Sequence, residues 1–168
     1  MQLFVNLAAA HKHAAPGALH LAAADVPVVV PSDGVTVRVV TGSALGVASP
    51  LEGLLTPVTL LDVDLGAGAA AEIPVPPDRR AVLLVVSGGL TVAGTTLPQH
   101  AVASLDGPAG LVGAVAGAEG ATVVVLVGAP IAEPVLFGGP FCMNTRAELA
   151  DAEQRFRRGE MGRLAPSF

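Results

Sequence analysis

Along this chain short apolar runs are broken by turn-forming residues at spacings of about 8–12 positions, the pattern of a β-sandwich or barrel. The turn signals are Ser32-Asp33-Gly34, Glu52-Gly53, Gly66-Ala67-Gly68, Pro77-Asp78, Ser87-Gly88-Gly89, Asp106-Gly107-Pro108 and Glu119-Gly120. Between them the pattern predicts strands over Val35–Val40, Val58–Leu65, Ala81–Val86, Leu90–Ala93, Ala101–Leu105, Leu111–Ala116 and Thr122–Val127. Val26–Val30 and Pro134–Phe137 read as weaker strands. In Val58–Leu65 the period is two: Leu61, Val63 and Leu65 share one face, while Leu60, Asp62 and Asp64 share the other. Ala81–Val86 and Thr122–Val127 are apolar almost throughout, which predicts strands covered on both faces.

The period changes near the C-terminus. Thr145 and Glu148 have the spacing of a capping box, in which each side chain accepts a backbone N–H from the other's end of the first turn. Leu149, Ala152 and Phe156 then fall on one helical stripe, expected to dock on the barrel. Arg155, Arg157 and Arg158 suit the negative end of a helix dipole, and Gly159 ends the helix. The expected architecture is all-β with one short C-terminal α-helix. It divides as a lead-in segment over 1–30, a barrel over 31–137, and a tail over 138–168 with a helix at about 146–158.

Composition narrows the function classes. Hydrophobic residues make up 52% and charged residues 14%, too apolar for a disordered chain. Trp and Tyr are absent and the net charge is −5, which argues against a nucleic-acid surface built on stacking or bulk charge. A single Cys cannot form an internal disulfide, as suits a reducing cytoplasm. The long apolar stretch 109–132 carries only Glu119, but its glycines and Pro130 read as strands and turns rather than a membrane helix. Met1–Ala10 lacks a basic leader, so no signal peptide is expected. The Ala/Gly/Val/Arg bias suggests a GC-rich bacterial genome.

Several segments together resemble one family. The tail Gly138-Gly139-Pro140-Phe141-Cys142-Met143-Asn144-Thr145-Arg146 resembles that of the pirins, proteins built from two cupin barrels. Gln2-Leu3-Phe4-Val5-Asn6-Leu7 looks like the segment opening their second half. Ala81-Val82-Leu83-Leu84-Val85-Val86-Ser87-Gly88 and Gly128-Ala129-Pro130-Ile131-Ala132-Glu133-Pro134-Val135 follow in the family's order. The resemblance covers nearly the whole chain and implies the second barrel alone, a cupin-type double-stranded β-helix (jelly roll). In the family the first barrel holds the metal. Cupin ligands, a His-x-His pair, a Glu and a later His, map by counting onto Pro74, Pro76, Arg80 and Val112, none of which can bind a cation. The resemblance therefore implies a metal-free, non-catalytic module with a structural or interaction role and no cofactor of its own. It also implies a homo-oligomer or a separate cupin partner to cover the face shaped for the first barrel. The alternatives are part of a quercetinase-like dioxygenase whose metal lies in a missing N-terminal cupin, or a small-ligand-binding barrel.

Some residues could still carry chemistry. His11 and His13 form the chain's one His-x-His, with His20 and Asp25 nearby; on an extended segment both imidazoles could chelate a metal, whereas the Ala-rich surroundings read as a solvated connector. Asp62 and Asp64 could form an acid/base or metal-binding pair, or the wet face of an edge strand. Arg79 and Arg80, with Glu72 and Asp78, are candidates for the rim of a pocket lined by Val and Leu. Cys142 reads as a buried, inert thiol, His100 as a surface turn, and the five Phe as core and docking residues. No serine lies in a Gly-x-Ser-x-Gly elbow and no phosphate-binding loop is present.

Overall fold

The computed structural model describes residues 2–105 and 110–161, so the expected turn at Asp106-Gly107-Pro108 and the chain end with Phe168 lie outside the described residues. The chain forms two compact units: a barrel unit, Gly17–Pro130, and a tail unit in which the segment up to Pro16 joins residues from Ile131 onward. The predicted lead-in of 1–30 is thus shared between them.

The barrel unit contains β1 (Val28–Ser32), β2 (Val35–Thr41), β3 (Ser43–Ala44), β4 (Val47–Ala48), β5 (Val58–Leu65), β6 (Ala70–Val75), β7 (Arg80–Val92), β8 (Thr95–Leu97), β9 (Val102–Leu105) and β10 (Gly110–Gly128). Strands β7 and β10 are long because each serves two layers. The Ala121–Gly128 half of β10 lies between β5 and the first half of β7. Its Gly110–Val115 half pairs with β6, while Ala114–Ala116 pairs with Leu90–Val92 of β7. One layer is therefore β1-β2-β5-β10-β7-β9 and the other β6-β10-β7-β8, a jelly-roll arrangement.

This connectivity differs from the expected one at two places. Ser87-Gly88-Gly89 and Glu119-Gly120 were expected as turns between separate strands, yet the backbone runs through both. The β7–β10 register breaks between Ala116 and Ala121, and Gly88 and Gly120 have φ of 72° and 77°. A Cβ on Gly88 would lie 2.0 Å from the Gly120 carbonyl oxygen. The glycines mark corners at which a strand changes layer, which local sequence cannot distinguish from a hairpin.

Between the layers lies one aliphatic core. Val35, Val37 and Val39 of β2 alternate inward, as do Leu61, Val63 and Leu65 of β5, Leu83 and Val85 of β7, and Val123, Val125 and Val127 of β10. Each such side chain contributes on the order of 1.5–3 kcal/mol by leaving water. Buried polar residues among those described are Thr41 and Ser49, whose hydroxyls donate to the Val58 and Val40 carbonyls at 2.8 Å. The prediction that β7 is covered on both faces fails: Val82 and Val86 are 40% and 38% exposed on the outward face. Asp62 and Asp64 do project outward, but β5 is an interior strand between β2 and β10, not an edge. There the Arg38 guanidinium from β2 reaches Asp64 at 2.7 Å and Asp62 at 3.3 Å.

In the tail unit, β11 (Leu136–Gly138) and β12 (Phe141–Met143) form a hairpin that α1 (Arg146–Arg157) packs against. The capping box is complete: Thr145 Oγ1 accepts from the Glu148 N–H at 3.2 Å, and Glu148 Oε2 accepts from the Thr145 N–H at 2.7 Å. Ala152 is buried, and Leu149 lies against Gly138 of the hairpin, so the helical stripe covers β11 and β12. The aromatic expectation is corrected here. Phe4, Phe137 and Phe156 are 71%, 72% and 57% exposed, and Phe156 meets Phe141 edge-on with ring centres 5.9 Å apart.

Candidate functional site

The barrel unit has a cavity of about 410 Å³ at the end where β2, β5, β6 and β10 meet their loops. Gly42 carries β2 out of the sheet with φ 72°, and a Cβ there would come within 2.5 Å of Thr59 Oγ1. Only glycine lets β2 and β5 approach so closely at this mouth. On the far side the chain leaves β6 through Pro76 and turns, the Arg79 N–H donating to the Pro76 carbonyl at 3.0 Å. That turn delivers Asp78 and Arg79 to the rim, while Leu61 and Val127 contribute the buried interior side. Arg79 Nε stands 3.4 Å from Asp78 Oδ2. Arg80, the other expected rim residue, opens β7 opposite Gly128 and is not among the residues lining the cavity.

No described metal group includes the histidines that the sequence offered as candidates. His11 closes a single 3₁₀ turn, Ala9–His11, so the His11-Lys12-His13 segment is not extended and the period-two geometry needed for chelation is absent. His11 and His13 belong to the tail unit, whereas His20 and Asp25 belong to the barrel unit, and all three imidazoles are exposed. His100 is an exposed turn residue with φ 67°, its N–H donating to the Val85 carbonyl at 2.7 Å.

The family resemblance places any metal of this barrel among its inward residues. The counted positions prove to be out of register: Ile73 and Val75 are the inward residues of β6, and Pro74 alternates away from them. Val112, opposite Ile73 on β10, does pack against the core. Shifting the register by one supplies no ligand, because Ile73, Val75 and Val112 are all aliphatic. Among the described residues no three His, Cys, Asp or Glu side chains come together as a metal group. The described residues of the barrel interior do not fit a cation, which needs convergent N, O or S donors.

Sequence reasoning missed two polar arrangements because their members are far apart in the chain. In the tail unit Lys12 Nζ donates to the Cys142 carbonyl at 2.9 Å and to Asn6 Oδ1, and lies 3.8 Å from Cys142 Sγ. The thiol is buried as expected and donates to Asn6 Oδ1 at 3.2 Å. Glu133 Oε2 accepts from the Ala9 N–H at 2.7 Å and from Asn144 Nδ2 at 3.0 Å. These contacts join the first residues of the chain to its tail. In the barrel unit, Asp64 accepts from Arg38 and from Thr122 Oγ1 at 2.9 Å. The bond from Arg38 holds its carboxyl below the usual range, opposed by partial burial and helped by Thr122. No described helix is long and apolar enough to cross a membrane.

Two antiparallel layers sharing long bent strands around an aliphatic centre define the cupin class. Residues 60–162, more than half of the chain, match the pirin C-terminal cupin domain. The chain belongs to the pirin family. It is 39% identical to a pirin-like protein of Caulobacter vibrioides, over 94% of this chain and 57% of that one. It is 32% identical to human pirin, over 96% of this chain and 57% of the relative. A solved quercetin 2,3-dioxygenase from Acinetobacter baumannii superposes with a TM-score of 0.84 at 29% identity, covering 96% of this chain and 56% of that one. The chain spans a little over half the length of the curated relatives it matches.

Proposed function

We propose that this chain is a metal-free, non-catalytic pirin-type cupin module whose role is structural or interactive. The observation that carries this reading is the apolar strip on the outward face of β7 and β9. Val82 and Val86 are 40% and 38% exposed there, and Val102, opposite Leu84, is 64% exposed. Contiguous exposed aliphatic surface on a soluble module is usually covered by a partner. A second copy, or a separate cupin barrel, would bury it. The aliphatic character of Ile73, Val75 and Val112 supports the absence of a metal from this module.

A second reading has its own support. The solved neighbour named as a quercetin 2,3-dioxygenase extends well beyond this chain, which covers 56% of it. In that reading this module is the structural half of a dioxygenase whose metal site lies in another cupin barrel. The cytoplasm is the expected location in either case.

Iron content and association state test the proposal together. The purified chain is incubated anaerobically with Fe(II), passed through a competing chelator and assayed for iron, then examined by sedimentation. The expected result is no retained iron and a dimer, or a complex when a cupin partner is supplied. One iron held per chain, or a monomer at high concentration that binds no cupin partner, overturns it.

A further inference from the structure

We propose that the cavity at the Gly42–Arg79 end of the barrel unit binds a small monocarboxylic acid with an apolar body, its carboxylate gripped by Arg79. This goes beyond the interaction role and does not depend on it. The cavity, about 410 Å³, falls within the roughly 300–1,000 Å³ range of small-molecule sites. Its chemistry is graded. Leu61, Val127 and Ala44 make the deep part aliphatic and buried, so a ligand body seated there leaves water.

Among the described lining residues, charge appears on Asp78 and Arg79 at the rim. The Arg79 side chain is 35% exposed, so an anion pairing with it is partly sheltered from solvent. Its Asp78 partner is 72% exposed and approaches only Nε, at 3.4 Å, a solvated pair of small value. Arg79 Nη1 and Nη2 make no hydrogen bond to a described residue, leaving the edge of the guanidinium that a carboxylate grips bidentately. Ser43 and Thr59 line the same space, the Thr59 hydroxyl donating to the Ser43 carbonyl at 3.5 Å, so they add polar character without competing for the guanidinium. A neutral ligand would waste the guanidinium, and a dianion would meet Asp78. A single carboxylate on an apolar body satisfies both ends of the cavity.

The experiment is a ¹⁹F NMR titration of the full chain with 4-fluorobenzoate, with 4-fluorobenzamide as the uncharged analogue and hexanoate as an aliphatic competitor. Saturable binding of the benzoate is expected, displaced by hexanoate, with the amide weaker by about tenfold or more. Arg79→Gln should weaken benzoate binding to a similar degree without changing the melting temperature, while Arg157→Gln in the tail unit leaves it unaltered. Failure of both acids to bind below about 10 mM overturns the proposal. So does equal binding of acid and amide, or indifference to Arg79→Gln.

Discussion

Asp64 shows how a residue that looks catalytic in sequence is used for structure. A pair of aspartates at i and i+2 on a strand offers two carboxylates on one face. Here both are answered from the neighbouring strand by one guanidinium, and Asp64 also by Thr122. With its folded pKa depressed by the Arg38 bond, Asp64 contributes stability that is fully present above the unfolded carboxyl's pKa of about 4. That contribution is lost as pH falls through the lower folded value. Because Arg38 and Asp64 are 38% and 43% exposed, solvent screens the pair and its worth is about 0.5–1 kcal/mol. Asp64→Asn should therefore lower the urea midpoint at pH 7, and the gap from the parent protein should shrink as pH falls below the unfolded carboxyl's value and through the lower folded one. A gap of constant size across that range would show that Asp64 acts through packing, not charge.

At the scale of elements, strand identity was legible and strand continuity was not. The alternation in β5 located that strand and its buried face correctly, because a period of two is written directly into the side chains. The capping box likewise placed the start of α1 at Arg146. The breaks at Gly88 and Gly120 misled because glycine signals only that φ can be positive, not whether the chain then reverses or bends onward. β6 was missed for a related reason: Ala70–Val75 is short, Ala-rich and contains Pro74, so it carries little strand signal of its own. It becomes a strand by pairing with β10. The corner also makes a prediction. Gly88→Ala places a methyl 2.0 Å from the Gly120 carbonyl oxygen at φ 72°, so one strand must shift. A loss of roughly 3 kcal/mol or more in urea unfolding is expected. A variant within about 1 kcal/mol of the parent would mean that the two long strands do not cross so tightly.

At the scale of the whole molecule, the proposed association rests on the outward face of β7 and β9. Val102 is the most exposed of its aliphatic residues and projects away from the core, so a charge there should leave folding almost untouched. Val102→Lys is expected to convert a sedimenting dimer to monomer while the urea midpoint stays within about 0.5 kcal/mol of the parent's. If both proteins sediment alike as dimers, the association uses another surface.

Sequence by itself determined the all-β character, the buried face of β5, the closing helix and the family resemblance. All of these depend on side-chain periods or on order along the chain, and both survive without coordinates. The tertiary structure decided which distant residues meet. It placed Arg38 over Asp64, brought Lys12 to Cys142, drew the first residues of the chain to the tail, and separated Arg79 at the cavity rim from its neighbour Arg80. Those choices follow from strand register and loop geometry. A shift of one residue in register exchanges the inward and outward faces, and local sequence does not resolve it at strands as weak as β6.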